Sequence, residues 1–327
     1  MRPLIWLTVL LAALYAGYWY VGSRAVLAGA TQSLTALQAE GRAGFSAIRL
    51  HGFPSRFDLT IDDPSLQTAD GGTRWQAPFV QILALSYRPN NVIAVLPHDQ
   101  TFHLGAEALD LTSSDLRASV AVKASLDLPL DHAEVEGYQL VLTAASGWQV
   151  LAEKLIVASR QAGTDGKSHE LAVVATGLAP GNDFRGQIDP ARRLPAVAEK
   201  AEVDMRLDFD QPIDRHGMDR QVRIVAVRAI AMTLHWGTIQ AEVSGDLAIG
   251  PDGTPEGKLA LSLRNWRDAL ALLQDSGAMA QDQARSLENA LASVAKSDDP
   301  ALVSLPLSFR GGLIWLGPIP VATAPRL

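Results

Sequence analysis

The 327-residue chain contains no cysteine. That single absence excludes disulfides, thiolate metal sites, iron–sulfur clusters and a cysteine nucleophile, and it fits an oxidising compartment as well as a reducing one. A basic run is also missing. The 28 Lys and Arg against 35 Asp and Glu give a net charge of −7 spread along the chain, so nothing here neutralises a phosphate backbone and nucleic acid is not an expected partner. No linker rich in glycine and serine divides the chain, which reads as one continuous domain after its N-terminal segment.

Charge is absent altogether from Pro3 to Ser23, PLIWLTVLLAALYAGYWYVGS. The run is long enough to cross a bilayer as one helix. Tyr15, Tyr18, Trp19 and Tyr20 suit a membrane interface at its C-terminal end, and Arg2 leaves positive charge on the N-terminal side, so the N terminus is expected in the cytoplasm. A cleaved signal peptide is the competing reading, with Ala28-Gly29-Ala30 as the small-residue site. The length and aromatic content of the run favour a retained signal-anchor. The expected organisation is an anchor over residues 1–22, an amphipathic stalk over 23–41 carrying Val26, Leu27, Ala30, Leu34 and Leu37, and a β-rich exported domain over 42–327.

From Phe45 the dominant period is two. Ile48 and Leu50 alternate with Arg49 and His51; Phe57, Leu59 and Ile61 alternate with Asp58, Thr60 and Asp62; and Val203, Met205, Leu207 and Phe209 alternate with Asp204, Arg206, Asp208 and Asp210. Leu116 to Val122, Ile239 to Val243 and Leu259 to Leu263 repeat the pattern, which buries one face of a strand and wets the other. Turn chemistry separates them: GFPS at 52–55, Asp70-Gly71-Gly72, Thr164 to Lys167, Pro251-Asp252-Gly253 and Gly311-Gly312. Short turns between strands imply an antiparallel sheet, and no βαβ rhythm appears. WQAPFVQILALS (Trp75 to Ser86) and WQVLAEKLIVAS (Trp148 to Ser159) align without a gap and read as two copies of one hairpin-like unit. Late helices are expected after an Asn265 N-cap and from Ala278 to Lys296, where Met279, Leu287, Leu291 and Val294 share a side; Asp189 to Lys200 is at most a short helix interrupted by Pro195. The fold class is therefore α+β and predominantly antiparallel β: an extended curved or layered sheet behind a transmembrane helix and stalk, with late helices covering one face.

Motifs that carry chemistry are not found. Neither His98-Asp99 with His103 nor any other histidines have metal-ligand spacing, and in a strand His98 and His103 face opposite ways. His169-Glu170 lacks the second histidine of a zinc-protease helix. Gly166-Lys167-Ser168 has Gln161 where a phosphate loop needs its first glycine. No G-x-S-x-G elbow occurs. Asp62-Asp63 and Asp298-Asp299, each before a proline, read as solvated turns, and Trp236 and Trp266 as core anchors. No catalytic, cofactor-binding or metal residue is assigned, and no cofactor is expected.

GFPSRFDLTIDDPSL (52–66), LHWGTIQAEVSGDLAIGPDGTPEGKLALSLRNW (234–266) and LPLSFRGGLIWLGPIPVATAPRL (305–327), with the N-terminal run, resemble the proteobacterial family catalogued as domain of unknown function 2125 across nearly the whole chain. The resemblance implies an envelope protein with one membrane anchor and brings no activity, cofactor or catalytic residue. A looser likeness to AsmA-type β-rich envelope proteins rests on shared style alone. The expectation is a non-catalytic structural or protein-binding module on the periplasmic side of the inner membrane, held there by residues 3–22. The alternatives are a lipid or hydrophobic-ligand binder with an apolar β trough, and an enzyme whose site is assembled from distant residues.

Overall fold

The computed structural model describes residues 2–217, 222–295, 299–317 and 319–326. Its packing falls into two compact units, Met1–Ala124 with Val135–Ser146, and Ser125–Glu134 with Gly147–Leu327, where the sequence reads as a single stretch from residue 42. All strand pairings described are antiparallel.

The first unit opens with α1 (Arg2–Ala39), one unbroken helix long and apolar enough to cross a membrane. Ten short strands follow: β1 (Ala43–Gly44), β2 (Ala47–His51), β3 (Arg56–Asp62), β4 (Ser65–Gln67), β5 (Thr73–Gln76), β6 (Phe79–Leu85), β7 (Arg88–Leu96), β8 (Asp99–Leu104), β9 (Glu107–Thr112) and β10 (Asp115–Val122), then the long β11 (Leu130–Ala144), of which the part from Val135 belongs to this unit. The short strands are halves of long ones. Breaks at Phe45-Ser46, Asp63-Pro64, Ala77-Pro78, Pro97-His98 and Ser113-Ser114 divide an up-and-down meander along a common fold line, giving the order β2-β3-β6-β7-β10 on one side and β1-β4-β5-β8-β9-β11 on the other. Proline, which brings no backbone donor to a ladder, stands at three of the five breaks. Hydrogen bonds cross the line even so, from Asp63 N to Pro78 O (2.9 Å) and from Ala77 N to Pro64 O (3.1 Å).

The GFPS corner joins β2 to β3 as expected, in the register Ala47↔Asp62 to His51↔Asp58. Gly52 is required there, because its φ of +107° is left-handed and a Cβ would lie 2.7 Å from the Arg56 carbonyl oxygen. The stretch expected as a stalk is not free. Leu27, Ala30 and Leu34, at helical spacing, pack on the buried core of Leu59, Ile61 and Val80.

In the second unit β12 (Gln149–Ala162), β13 (Ser168–Pro180), β14 (Ala198–Phe209), β15 (Ile224–Trp236), β16 (Ile239–Ile249), β17 (Pro255–Arg264), β18 (Leu302–Arg310), β19 (Leu313–Leu316) and β20 (Ile319–Thr323) pair strictly in chain order. Helix α2 (Asn182–Ile188) sits between β13 and β14, and α3 (Trp266–Asp275) and α4 (Gln281–Val294) between β17 and β18. One sheet face, carrying Val227, Ile230, Leu247, Ile249 and Leu259 with Met205, Leu207 and Leu307 at the flanks, is the main core. Farther along β17 and β18, Leu263, Val303 and Leu305 are covered by Trp266, Leu270, Ala284, Met279, Leu287 and Leu291.

Three expectations need correction. The two WQ stretches are not hairpins: Trp75 to Ser86 runs through β5, the Ala77-Pro78 break and β6, and Trp148 to Ser159 lies along β12, so what they share is one strand's alternation. Asn265 precedes α3 but makes no side-chain cap; it is left-handed (φ 54°, ψ 44°) and its amide instead donates to Thr238 O. Residues 189–197 form no helix. Asp189 organises them as a loop, accepting from the backbone N of Arg193 (2.9 Å) and Leu194 (3.0 Å).

Candidate functional site

The strands β12, β13 and β14 turn their polar face outward in a register that lines up Arg160, Glu170 and Arg206 in one row and Ala158, Ala172 and Asp204 in the next. Small alanines between long charged side chains leave a hollow of about 740 Å³, with His132 and Glu134 among its other lining residues. Two of its charges are paired with each other. Arg160 Nη2 donates to Glu170 Oε2 at 2.5 Å, which holds the guanidinium above its ordinary value. Beside the hollow, desolvation pushes the Asp208 carboxyl up, but hydrogen bonds from Arg228, Ser168 and Arg206 outweigh it and leave the group below its ordinary value. Such a ladder of alternating sign suits a charged polypeptide surface.

The nearest approach to a nucleophile–base pair lies on the opposite face of the same strands. Ser159 Oγ is 3.3 Å from His169 Nδ1. Yet the ring is 1% exposed and meets Phe209 edge-on, centroids 6.1 Å apart, so a substrate has no way to it. This is a buried polar pair of the core. Sequence reasoning missed it, although placing the turn at 163–167 and counting back along both strands brings residues 159 and 169 to one face.

In the first unit a hollow of about 650 Å³ follows the fold line and is lined by Pro64, Pro78, Gln76, Gln100, Asp99 and Asp110, among others. Gln100 holds Trp75 Nε1 at 2.9 Å, and Thr101 donates to Asp110. His98 is engaged with the Ser113 carbonyl at 2.8 Å, while His103 lies in β8 between Arg74 and Ala108, so the structure does not bring the histidine pair together. Among the described residues no three His, Asp or Glu side chains are grouped to hold a metal ion.

The remaining residues singled out in the sequence are dispersed. Asp62 accepts from Arg49 (2.7 Å) and Asp63 from Ser46 (2.7 Å); Asp299 pairs with Arg264 (2.9 Å), and Asp298 lies outside the described residues. Lys167 and Ser168 leave a turn in which Asp165 receives the Lys167 N–H. Trp266 is a core anchor at 1% exposure; Trp236 is half-buried and donates to Pro195 O at 2.9 Å.

A family model, described as an uncharacterized protein conserved in bacteria (DUF2125), matches residues 19–325. The chain belongs to this family. The match takes in both compact units and the C-terminal half of α1. No curated protein and no solved structure matches the chain, and the looser likeness to AsmA-type proteins carries no argument about it.

Proposed function

We propose that this member of the DUF2125 family is a single-pass protein of the bacterial inner membrane, anchored by residues 3–22, with its N terminus in the cytoplasm and its β-rich part in the periplasm, and that it serves there as a non-catalytic structural or protein-binding module. The observation that carries the binding role is the state of the two faces of β12–β18. The apolar face holds the main core: Val227, Ile230, Leu247 and Leu259 are buried, and α3 and α4 cover Val303 at one end. The opposite face carries ordered ion pairs, as at Arg160–Glu170 and Arg228–Asp208. A patterned charged face selects partners of complementary pattern.

The test is photo-crosslinking in cells, with a photoreactive residue at Ala172 in the charged face or at Met232 in the apolar one. Protein adducts at Ala172 that vanish in Arg160→Glu/Arg206→Glu are the expected result. Lipid adducts at Met232 would replace this reading with a lipid binder, and turnover of ester, phosphoester or glycoside probes by the purified chain would make it an enzyme.

A further inference from the structure

Two hairpin tips meet α1 in the stretch where the helix should still be inside the membrane. The β2–β3 tip is GFPS at 52–55, and the β6–β7 tip is Ser86-Tyr87. They are joined to each other by Ser86 N donating to Ser55 O at 2.9 Å. Both are fastened to the helix: Tyr18 Oη donates to Ser86 O (2.6 Å), Tyr15 Oη lies 3.0 Å from Ser86 Oγ, and Trp19 Nε1 donates to Arg56 O (2.8 Å). Trp19 also meets Phe53 edge-on with ring centroids 5.2 Å apart.

Length decides what this contact means. A hydrocarbon core about 30 Å thick takes about 20 helical residues at 1.5 Å each, whereas Pro3 to Leu14, the part before the first tip contact, supplies only about 18 Å. A helix that crosses the bilayer must therefore carry its Tyr15–Trp19 segment, and the tips bound to it, to the depth of the lipid interface. The tips have the chemistry for that depth. Phe53 is 61% exposed and Tyr87 62%, and Tyr20 and Val21 of the helix are exposed as well. Arg56, which pairs with Asp58 at 3.0 Å, and Arg88 follow immediately in the chain, and their long stems allow a charged end to reach the headgroup layer. The carbonyls of Ser86 and Arg56 take their hydrogen bonds from the helix's own phenol and indole, which removes the need for water at those two groups.

We propose that the paired tips are seated in the interfacial layer of the bilayer that α1 crosses, with Phe53 and Tyr87 as apolar wedges, so that the first unit rests on the membrane instead of standing off on a stalk. The inference rests on the anchored reading above and adds a second point of attachment to it.

The absence of cysteine makes every introduced thiol unique. Full-length chains carrying Leu10→Cys, Phe53→Cys, Tyr87→Cys or Ala69→Cys are labelled with an environment-sensitive fluorophore. Each is reconstituted in vesicles of three parts phosphatidylcholine to one part phosphatidylglycerol, and quenched by lipids spin-labelled high on the acyl chain. Ala69, in the exposed β4–β5 turn, lies up to about 36 Å along the strand from the tips at 3.3 Å per residue. Quenching at 53 and 87 should exceed that at 69 by about twofold or more, as expected of residues within reach of the acyl region. Quenching at 10 with 53 and 87 no different from 69 would overturn the seated tips and leave the anchor standing. No quenching at 10 would overturn both. Circular dichroism of each labelled chain, matched to the parent, ties the readout to folded protein, and two independent tip positions guard against a local fault at either.

Discussion

Asp189 is completely buried, and its carboxylate accepts from two backbone N–H groups while Arg185 stands 4.0 Å away. Removing a buried anion strands both donors and leaves the Arg185 guanidinium only its bond to Leu194 O, so Asp189→Ala should destabilise the folded chain by about 3–5 kcal/mol, read as a lowered midpoint in thermal or denaturant unfolding. A small effect would mean that the loop over 189–194 is held by something else. Gly245 makes a different demand. With φ at +143° it opposes Leu259, and a Cβ would sit 2.5 Å from the Lys258 carbonyl oxygen; Gly257 stands in the reciprocal position against Asp246. Gly245→Ala should therefore cost about 2–4 kcal/mol, combining backbone strain with overpacking. Asp208 predicts a pH dependence. Because its carboxyl lies below the ordinary 3.8 in the folded chain, its ion pairs stabilise the fold above that pH, and the stabilisation is lost as pH falls through the lower folded value. In Asp208→Asn the gap in melting temperature to the parent should be full near neutrality and close as the acid limit is approached; a gap that does not change with pH would remove this account.

At the level of elements, α1 is fitted to the sheet at one glycine and free at another. A Cβ on Gly22 would lie 2.9 Å from the Phe57 ring, whereas one on Gly29 would meet nothing within 4 Å. Gly22→Leu should thus destabilise the first unit by about 1–3 kcal/mol while Gly29→Leu leaves it unchanged, a contrast that thermal unfolding followed by circular dichroism can read. The same elements show how far sequence patterns reach. The helical spacing of Leu27, Ala30 and Leu34 was plain, but which surface receives it is decided by Leu59, Ile61 and Val80 on strands farther along the chain. Asn265 marked the start of α3 for the wrong reason: a residue type that caps helices also tolerates the left-handed region, and here the second property is the one used.

For the molecule as a whole, the anchored reading makes its own prediction. Alkaline phosphatase fused after Leu327 should be active in whole cells, since that enzyme requires an oxidising compartment, while a cytoplasmic reporter at the same place should be silent; the reverse pattern would invert the topology. The uncharged run at the N terminus, the antiparallel strands and the turns between them were determined by the sequence alone. These are local properties: a side-chain period of two or 3.6 residues, a glycine or proline at a corner, and a connection too short for anything but an adjacent antiparallel partner. Tertiary structure alone decided the rest. The five breaks that fold the first meander acquire a common line only when strands lie side by side. The hairpin tips at 53 and 87 find the helix at 15–19 only because contacts between residues that far apart depend on how layers pack, which neither segment's own pattern specifies.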